Sequence, residues 1–253
     1  MDFTRPNALA DAMKGASVLY NTYWVRFNYG DFSFSKAVEN TKVLLEAAKA
    51  AGVHRIVHIS ITNPSRDSPL EYFRGKALVE DAVASSLLSY AILRPAVIYG
   101  DEGILINNIA YLLRRLPVFP VFGDGSYRLQ PIFVDDLAAL MVGYGKGHAN
   151  LIVDAIGPDT LSYREMVALI GRAMGCPRAV VRTSDWAGSA FSSMMGWFTR
   201  DVLITRDEIR GLKANLLWTE SPPAGTTRLS DWLRENAEWL GRRYMSELCR
   251  RGA

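Results

Sequence analysis

Residues 38–60 read VENTKVLLEAAKAAGVHRIVHIS, and this stretch decides the fold. Its first half is helical. Apolar Val38, Leu45 and Ala48 fall near one stripe of a helical repeat, within a helix predicted over 34–51 and capped by Ser35. Gly52 ends it, because glycine takes the left-handed backbone of a helix end without a Cβ penalty. The second half, RIVHIS at 55–60, is short and rich in β-branched residues, which suits a buried strand. A long helix followed closely by a short apolar strand is the αβ half of a parallel-sheet unit.

Working outward, the unit repeats. A helix is expected over 70–86, then a strand over 89–93 that ends at Arg94-Pro95, then a helix over 104–115. Upstream, 7–15 reads as a short helix, 16–21 as a short buried strand and 22–34 as an aromatic loop. Downstream, prolines and glycines mark 117–125 as irregular, and 128–134 as partly extended. Asp135 or Asp136 is expected to cap a helix reaching 144, and 151–156 (LIVDAI) reads as a further strand. Thr160 or Ser162 caps a helix to 175, with Glu165 in capping-box spacing after Ser162. A strand at 179–182, Met- and aromatic-rich helical material around Phe191, Met194, Met195, Trp197 and Phe198, and a last helix over 230–243 follow.

The fold class is therefore α/β: a Rossmann-like parallel sheet with a small, mostly helical C-terminal lobe. Residues 1–158 form the sheet domain, with 101–134 contributing to the substrate side, and 159–253 form a substrate or packing lobe. A doubly wound dinucleotide domain normally opens with a strand and a Gly-rich turn, whose glycines let the backbone approach the pyrophosphate. No G-x-G-x-x-G occurs in the first 60 residues, so the sheet is expected to lack its first strands and that turn.

Bulk properties exclude several classes. Hydrophobic residues make up 49% and charged residues 22% of the chain, which is ordinary globular composition. A net charge of +3, spread along the sequence, gives no footprint for nucleic acid. Arg242, Arg243, Arg250 and Arg251 gather on the expected last helix and read as a solvated face, with a membrane-surface or subunit-docking patch as the alternative. Cys176 and Cys249 lie too far apart for a metal motif or disulfide framework, and His54, His58 and His148 make no metal-ligand spacing. No metal is expected, and no apolar run reaches the roughly 18 residues of a spanning helix. Cytoplasmic localisation is the expectation.

The chemistry centres on EYFRGK at 71–76. Tyr72 and Lys76 stand four residues apart near the start of a helix, so they share one face. A phenol is a weak acid–base group at neutral pH, and a nearby ammonium favours its phenolate. The same ammonium can hold ribose hydroxyls, an arrangement suited to proton transfer while hydride moves to or from a nicotinamide. The plain alternative is an aromatic docked on the core beside a solvated lysine. Context adds Ser60 at a strand C-terminus, where ligands bind in parallel sheets, with Thr62 as a second hydroxyl for the same role. Arg94 and Pro95 close the next strand on the same side, and Pro95 offers a rigid wall for a flat ring.

Taken together, these stretches resemble the short-chain dehydrogenase/reductase superfamily. The closer likeness is to its extended or atypical branch of epimerases and dehydratases, near the group of the complex I nucleotide-binding accessory subunit. The resemblance implies NAD or NADP as cofactor, Ser60, Tyr72 and Lys76 as the catalytic serine, tyrosine and lysine, and Asn40 as the proton-relay asparagine. It places Asn21 beside the adenosine and ribose, and ILRPAVIYG, with Arg94, Pro95 and Tyr99, along the nicotinamide. GDGSYRLQPIFVDDLA falls on the substrate side, with Arg128 and Gln130 as substrate-binding candidates. Asp2-Phe3-Thr4 resembles the end of the family's third strand, so the chain is expected to start late relative to the family. A short form that has dropped cofactor binding is the alternative.

Two functions follow. One is an NAD(P)-dependent oxidoreductase or epimerase/dehydratase acting on an alcohol or carbonyl of a small molecule, sugar-nucleotide or sterol-like. The other is a non-catalytic nucleotide-binding scaffold or accessory subunit. A homo-oligomer and a peripheral membrane or complex partner are the expected associations. Helix 104–115 reads as core with Arg114 and Arg115 solvated.

Overall fold

The computed structural model describes residues 1–184, 201–202 and 204–250. The Met- and aromatic-rich cluster at 191–198 and Arg251 lie outside the described residues, as does the side chain of Arg250. The chain divides into two compact units: residues 1–95 with 137–155, and residues 96–136 with 156–253.

The first unit holds a four-stranded, all-parallel sheet of β1 (Val18–Asn21), β2 (Arg55–Ile59), β3 (Ser89–Pro95) and β8 (Leu151–Ala155), in the order β1-β2-β3-β8. Its helices are α1 (Pro6–Met13), α2 (Phe34–Ala50), α3 (Glu71–Ala84) and most of α5 (Val134–Gly145). The stripe read from the sequence is the core: Val38, Leu45 and Ala48 of α2 meet Ile56 of β2, Val79 and Val83 of α3, and Ile92 of β3. Residues 55–58 of β2 are buried throughout, as expected of an inner parallel strand. Arg55 survives there because its guanidinium donates to the Tyr144 carbonyl (2.7 Å), the Ala149 carbonyl (3.0 Å) and the Ser89 hydroxyl. Among the described residues, β1 pairs only with β2, and no Gly-rich strand–turn–helix precedes it.

The second unit contains two parallel pairs and one antiparallel pair. The parallel pairs are β4 (Val97–Tyr99) with β7 (Pro131–Phe133), and β5 (Val118–Phe122) with β10 (Ala179–Thr183); the antiparallel pair is β6 (Arg128–Leu129) with β9 (Leu161–Ser162). Among the described residues, five helices belong to it: α4 (Ile104–Arg115), α6 (Tyr163–Ala173), α7 (Arg206–Lys213), α8 (Leu229–Asn236) and α9 (Glu247–Arg250). Its core joins Ile106, Ile109 and Leu113 of α4 to Met166 and Ile170 of α6 and Trp232 and Leu233 of α8.

Five local expectations are corrected. Ser33, not Ser35, caps α2: its hydroxyl accepts from the Lys36 amide at 3.2 Å, because the helix begins at Phe34. Residues 118–122 form a strand despite Pro120, since β5 bonds only β10 among the described residues and tolerates a missing donor. Asp135 and Asp136 lie inside the first turn of α5, and Asp136 is spent elsewhere, accepting from the Thr226 and Thr227 amides at 2.7 Å each. The last long helix stops at Asn236, and Gly241 turns the chain at φ +71. Arg114 is not solvated: it donates to the Leu240 carbonyl at 2.8 Å and the Ala237 carbonyl at 2.7 Å.

Candidate active site

The candidate site lies in the first unit, where β2 ends and α3 begins. The ladder continues past the last β2 residue: the Ser60 amide donates to the Leu93 carbonyl (2.7 Å) and the Thr62 amide to the Pro95 carbonyl (3.0 Å). Both residues are buried. The Ser60 hydroxyl is buried too and has no protein partner among the described residues.

Tyr72, half-buried, and Lys76 sit one turn apart on α3. Lys76 is only 2% exposed. Its Nζ donates to the Ile59 carbonyl at 2.8 Å and lies 4.7 Å from the centre of the Trp24 ring. Burial pulls its proton affinity down to about 7, partly opposed by the carboxylate of Glu80. Glu80, one turn further along α3, is held by Arg94 of β3 in a two-point ion pair, Nε to Oε1 at 2.9 Å and Nη2 to Oε2 at 2.6 Å. That hydrogen-bonded carboxylate raises the Arg94 affinity for its proton.

Asn21 ends β1 beside His58, its register partner on β2. The Asn21 amide nitrogen lies 3.1 Å from His58 Nδ1, and its oxygen accepts from the Tyr23 amide at 3.0 Å. Asn40 of α2 reaches this network indirectly, donating to the Tyr23 phenol oxygen at 2.8 Å. Above Lys76, Trp24 stacks on Phe34 (5.9 Å, 18°) and meets Tyr72 edge-on (5.9 Å, 85°).

Thus Asn21, Asn40, Ser60, Thr62, Tyr72, Lys76, Arg94 and Pro95 all belong to the first unit. Tyr99, Arg128 and Gln130 belong to the second. Tyr99 is fully buried, with its hydroxyl donating to the Thr227 carbonyl at 2.9 Å. Burial pushes its phenol well above the ordinary range. Gln130 is tied to Thr160 and to the Thr219 backbone, and the Arg128 guanidinium stacks 3.3 Å from the Trp218 ring centre. Trp24, His58, Gly75 and Glu80 were not singled out from the sequence. The signals were present: His58 and Ser60 share a strand face at spacing two, and Gly75 interrupts a helix.

The expected group is NAD(P), and Ser60 provides the test of fit. A buried hydroxyl without a protein partner, at the C-terminal end of a parallel strand, suits an incoming carbonyl or hydroxyl oxygen. Ser60 fits the substrate side of such a site, whereas Lys76, the expected ribose ligand, is buried and donates to the Ile59 carbonyl, and Arg94 is paired with Glu80. No glycine lies in the first turn of α1, and no strand leads into it among the described residues. Nor, among the described residues, does any group of three His, Cys, Asp or Glu side chains gather to hold a metal, or any helix run long and apolar enough to cross a membrane.

A family model described as NAD(P)H-binding matches residues 1–109, in line with the expected cofactor class. The chain shares its Rossmann-like α/β fold with solved NAD(P)-binding proteins. It is distantly related to the alpha subcomplex subunit 9 of mitochondrial NADH dehydrogenase (ubiquinone): the Arabidopsis thaliana protein is 27% identical over 169 residues, 65% of this chain. The match spans only 42% of that relative's length, less than half. A ceramide reductase from Caulobacter vibrioides is 28% identical over 187 residues, covering 73% of this chain and 58% of the relative. Among solved structures, an Escherichia coli NADPH-dependent quinone oxidoreductase complexed with NADPH superimposes with a TM-score of 0.72 at 20% identity, covering 93% of this chain and 81% of the other. A Citrobacter triphenylmethane reductase complexed with NADP(H) gives 0.71 at 18% identity, covering 94% and 82%.

Proposed function

We propose that this protein is an NAD(P)-dependent oxidoreductase or epimerase acting on an alcohol or carbonyl group, with Tyr72 as its acid–base. One observation carries the reading: Tyr72 and buried Lys76 share one face of α3, where a partnerless Ser60 hydroxyl closes β2. Bound NAD(P) supplies a hydride donor or acceptor. Ser60 orients the substrate oxygen by hydrogen bonding. Tyr72 gives a proton to that oxygen in reduction, or takes one in oxidation. The charge of Lys76 favours the phenolate, and Ile59 and Trp24 fix its position. Asn40 and Asn21 hold the loop over the site. Similarity to a ceramide reductase supports the redox arm over the epimerase arm. The substrate class stays broad, a sugar-nucleotide or a sterol-like alcohol.

Tyr72→Phe is expected to lower kcat at least about 100-fold while leaving NAD(P)H affinity within a few-fold. The check is loss of nicotinamide absorbance with a panel of ketones, aldehydes and nucleotide sugars. Equal turnover by the variant would remove the assignment.

A second reading has its own support. Lys76 is closed off by Ile59 and Trp24, and relatives include subunits of a large respiratory complex. On that reading the chain is a nucleotide-binding scaffold within an assembly, and bound nucleotide persists without turnover.

A further inference from the structure

We infer that Trp24 is a positioning residue of this site: its indole seals the Lys76 ammonium from water and holds it on the Ile59 carbonyl, in service of Tyr72. The inference rests on the Tyr72–Lys76 reading and adds to it a residue outside the reacting set.

Three independent features place the ring there. First, its face lies 4.7 Å from Nζ, within the range of an attractive cation–π contact. Second, α3 carries a seat for it. A Cβ at Gly75 would fall 2.9 Å from Trp24 Cη2 and 3.2 Å from Cζ2, so the helix is bare where the indole lies on it. A glycine inside a helix is unfavourable on its own, and close approach of the ring supplies its reason. Third, the loop is latched. The Asn21 amide nitrogen can only donate, so His58 Nδ1 must accept, and His58 is neutral with its proton on Nε2. Burial and the nearby Lys76 charge both hold His58 neutral, which keeps the latch closed. Asn21 then fixes the Tyr23 backbone, and Asn40 fixes the Tyr23 phenol. Trp24 is the next residue. Its Nε1 is buried without an acceptor among the described residues, so the ring is not held there by a hydrogen bond of its own.

The charged and titratable groups around Lys76 are Tyr72 and Glu80 on its own helix, His58 on β2, and Arg94 on β3 acting through Glu80. Removing the indole has two opposed effects. Loss of the cation–π contact weakens the charged form, whereas entry of water strengthens it. Burial is the larger influence on Lys76, so the net shift is upward.

The experiment is acetylation of the full chain by acetic anhydride across a pH series, with Lys76 followed by mass spectrometry. In the native protein Lys76 is expected to react slowly, with a midpoint near 7. In Trp24→Ala the midpoint is expected to lie at least about one unit higher, and at pH above both midpoints the rate is expected to be on the order of ten-fold faster. Trp24→Phe keeps an aromatic face and stays close to native, while Gly75→Ala, which displaces the ring, moves in the same direction as Trp24→Ala. Circular dichroism confirms that each variant folds. If Trp24→Ala does not fold, Gly75→Ala against Trp24→Phe carries the comparison. Unchanged rate and midpoint in a folded Trp24→Ala or Gly75→Ala would overturn the inference. A failed Tyr72→Phe test would overturn the catalytic reading alone, since acetylation needs no turnover.

Discussion

His58 shows how burial turns an unremarkable residue into a constraint on the whole chain. It is fully buried and held neutral, with its affinity well below 6.5. The unfolded chain therefore binds more protons than the folded one below about 6.5, and stability falls as pH drops through that window, by up to about 1.4 kcal/mol per unit. Lys76 acts in the same direction at higher pH: its folded value of about 7 against 10.5 unfolded means stability rises from pH 7 to 10.5. Urea unfolding of the native protein at about pH 5.5 and 7.5 is expected to show the acid loss. His58→Leu should reduce it and leave the Lys76 part, at about 1–3 kcal/mol of stability at the higher pH, because the Asn21 amide loses its acceptor. A native protein equally stable at both values would contradict this account. Tyr72, Lys76 and Ser60 could be proposed from the sequence because their spacing, the strand end at Ser60 and the family resemblance point to one chemistry. His58 and Trp24 could not, because their roles come from what surrounds them.

At the scale of elements, legibility follows local periodicity. Helices α2, α3 and α4 and strands β2 and β3 repeat an apolar spacing that survives in the fold within a residue or two. Strand β5 hides behind Pro120, and the end of α8 depends on Arg114, more than 120 residues away in sequence. No local window contains that information. The same contrast ranks two substitutions. Ser162 caps α6 in a full capping box, a local device, and Ser162→Ala should lose about 1 kcal/mol. Gly241 sits at φ +71, and a Cβ there would lie 2.4 Å from the Ala110 carbonyl carbon of α4. Gly241→Ala should therefore lose more than about 1 kcal/mol from backbone strain alone, with the α4 clash in addition. Urea midpoints of the two variants decide it, and a Gly241→Ala protein as stable as Ser162→Ala would show that the turn relaxes freely.

For the whole molecule, the parallel β-α-β order was readable because each crossover carries its own helix and strand signal. The two units were legible only in part: the sequence assigns 101–134 to the substrate side, and 96–136 clusters with 156–253, but the return of 137–155 to the first unit has no local signal. What the molecule does turns on whether bound nucleotide reacts. A ligand that binds only the folded state stabilises it by about 2.7 kcal/mol at 100 times its Kd, which corresponds to roughly 5–11 °C in Tm for a protein of this size. The native protein and Tyr72→Phe should both show that shift with NADH or NADPH, because the phenol acts on the substrate oxygen rather than on the nucleotide. Only the native protein should turn over. A shift in both proteins with turnover in neither would favour the scaffold reading. A shift lost in Tyr72→Phe would mean that the phenol holds the nucleotide itself, and the division of labour on α3 would have to be redrawn around binding.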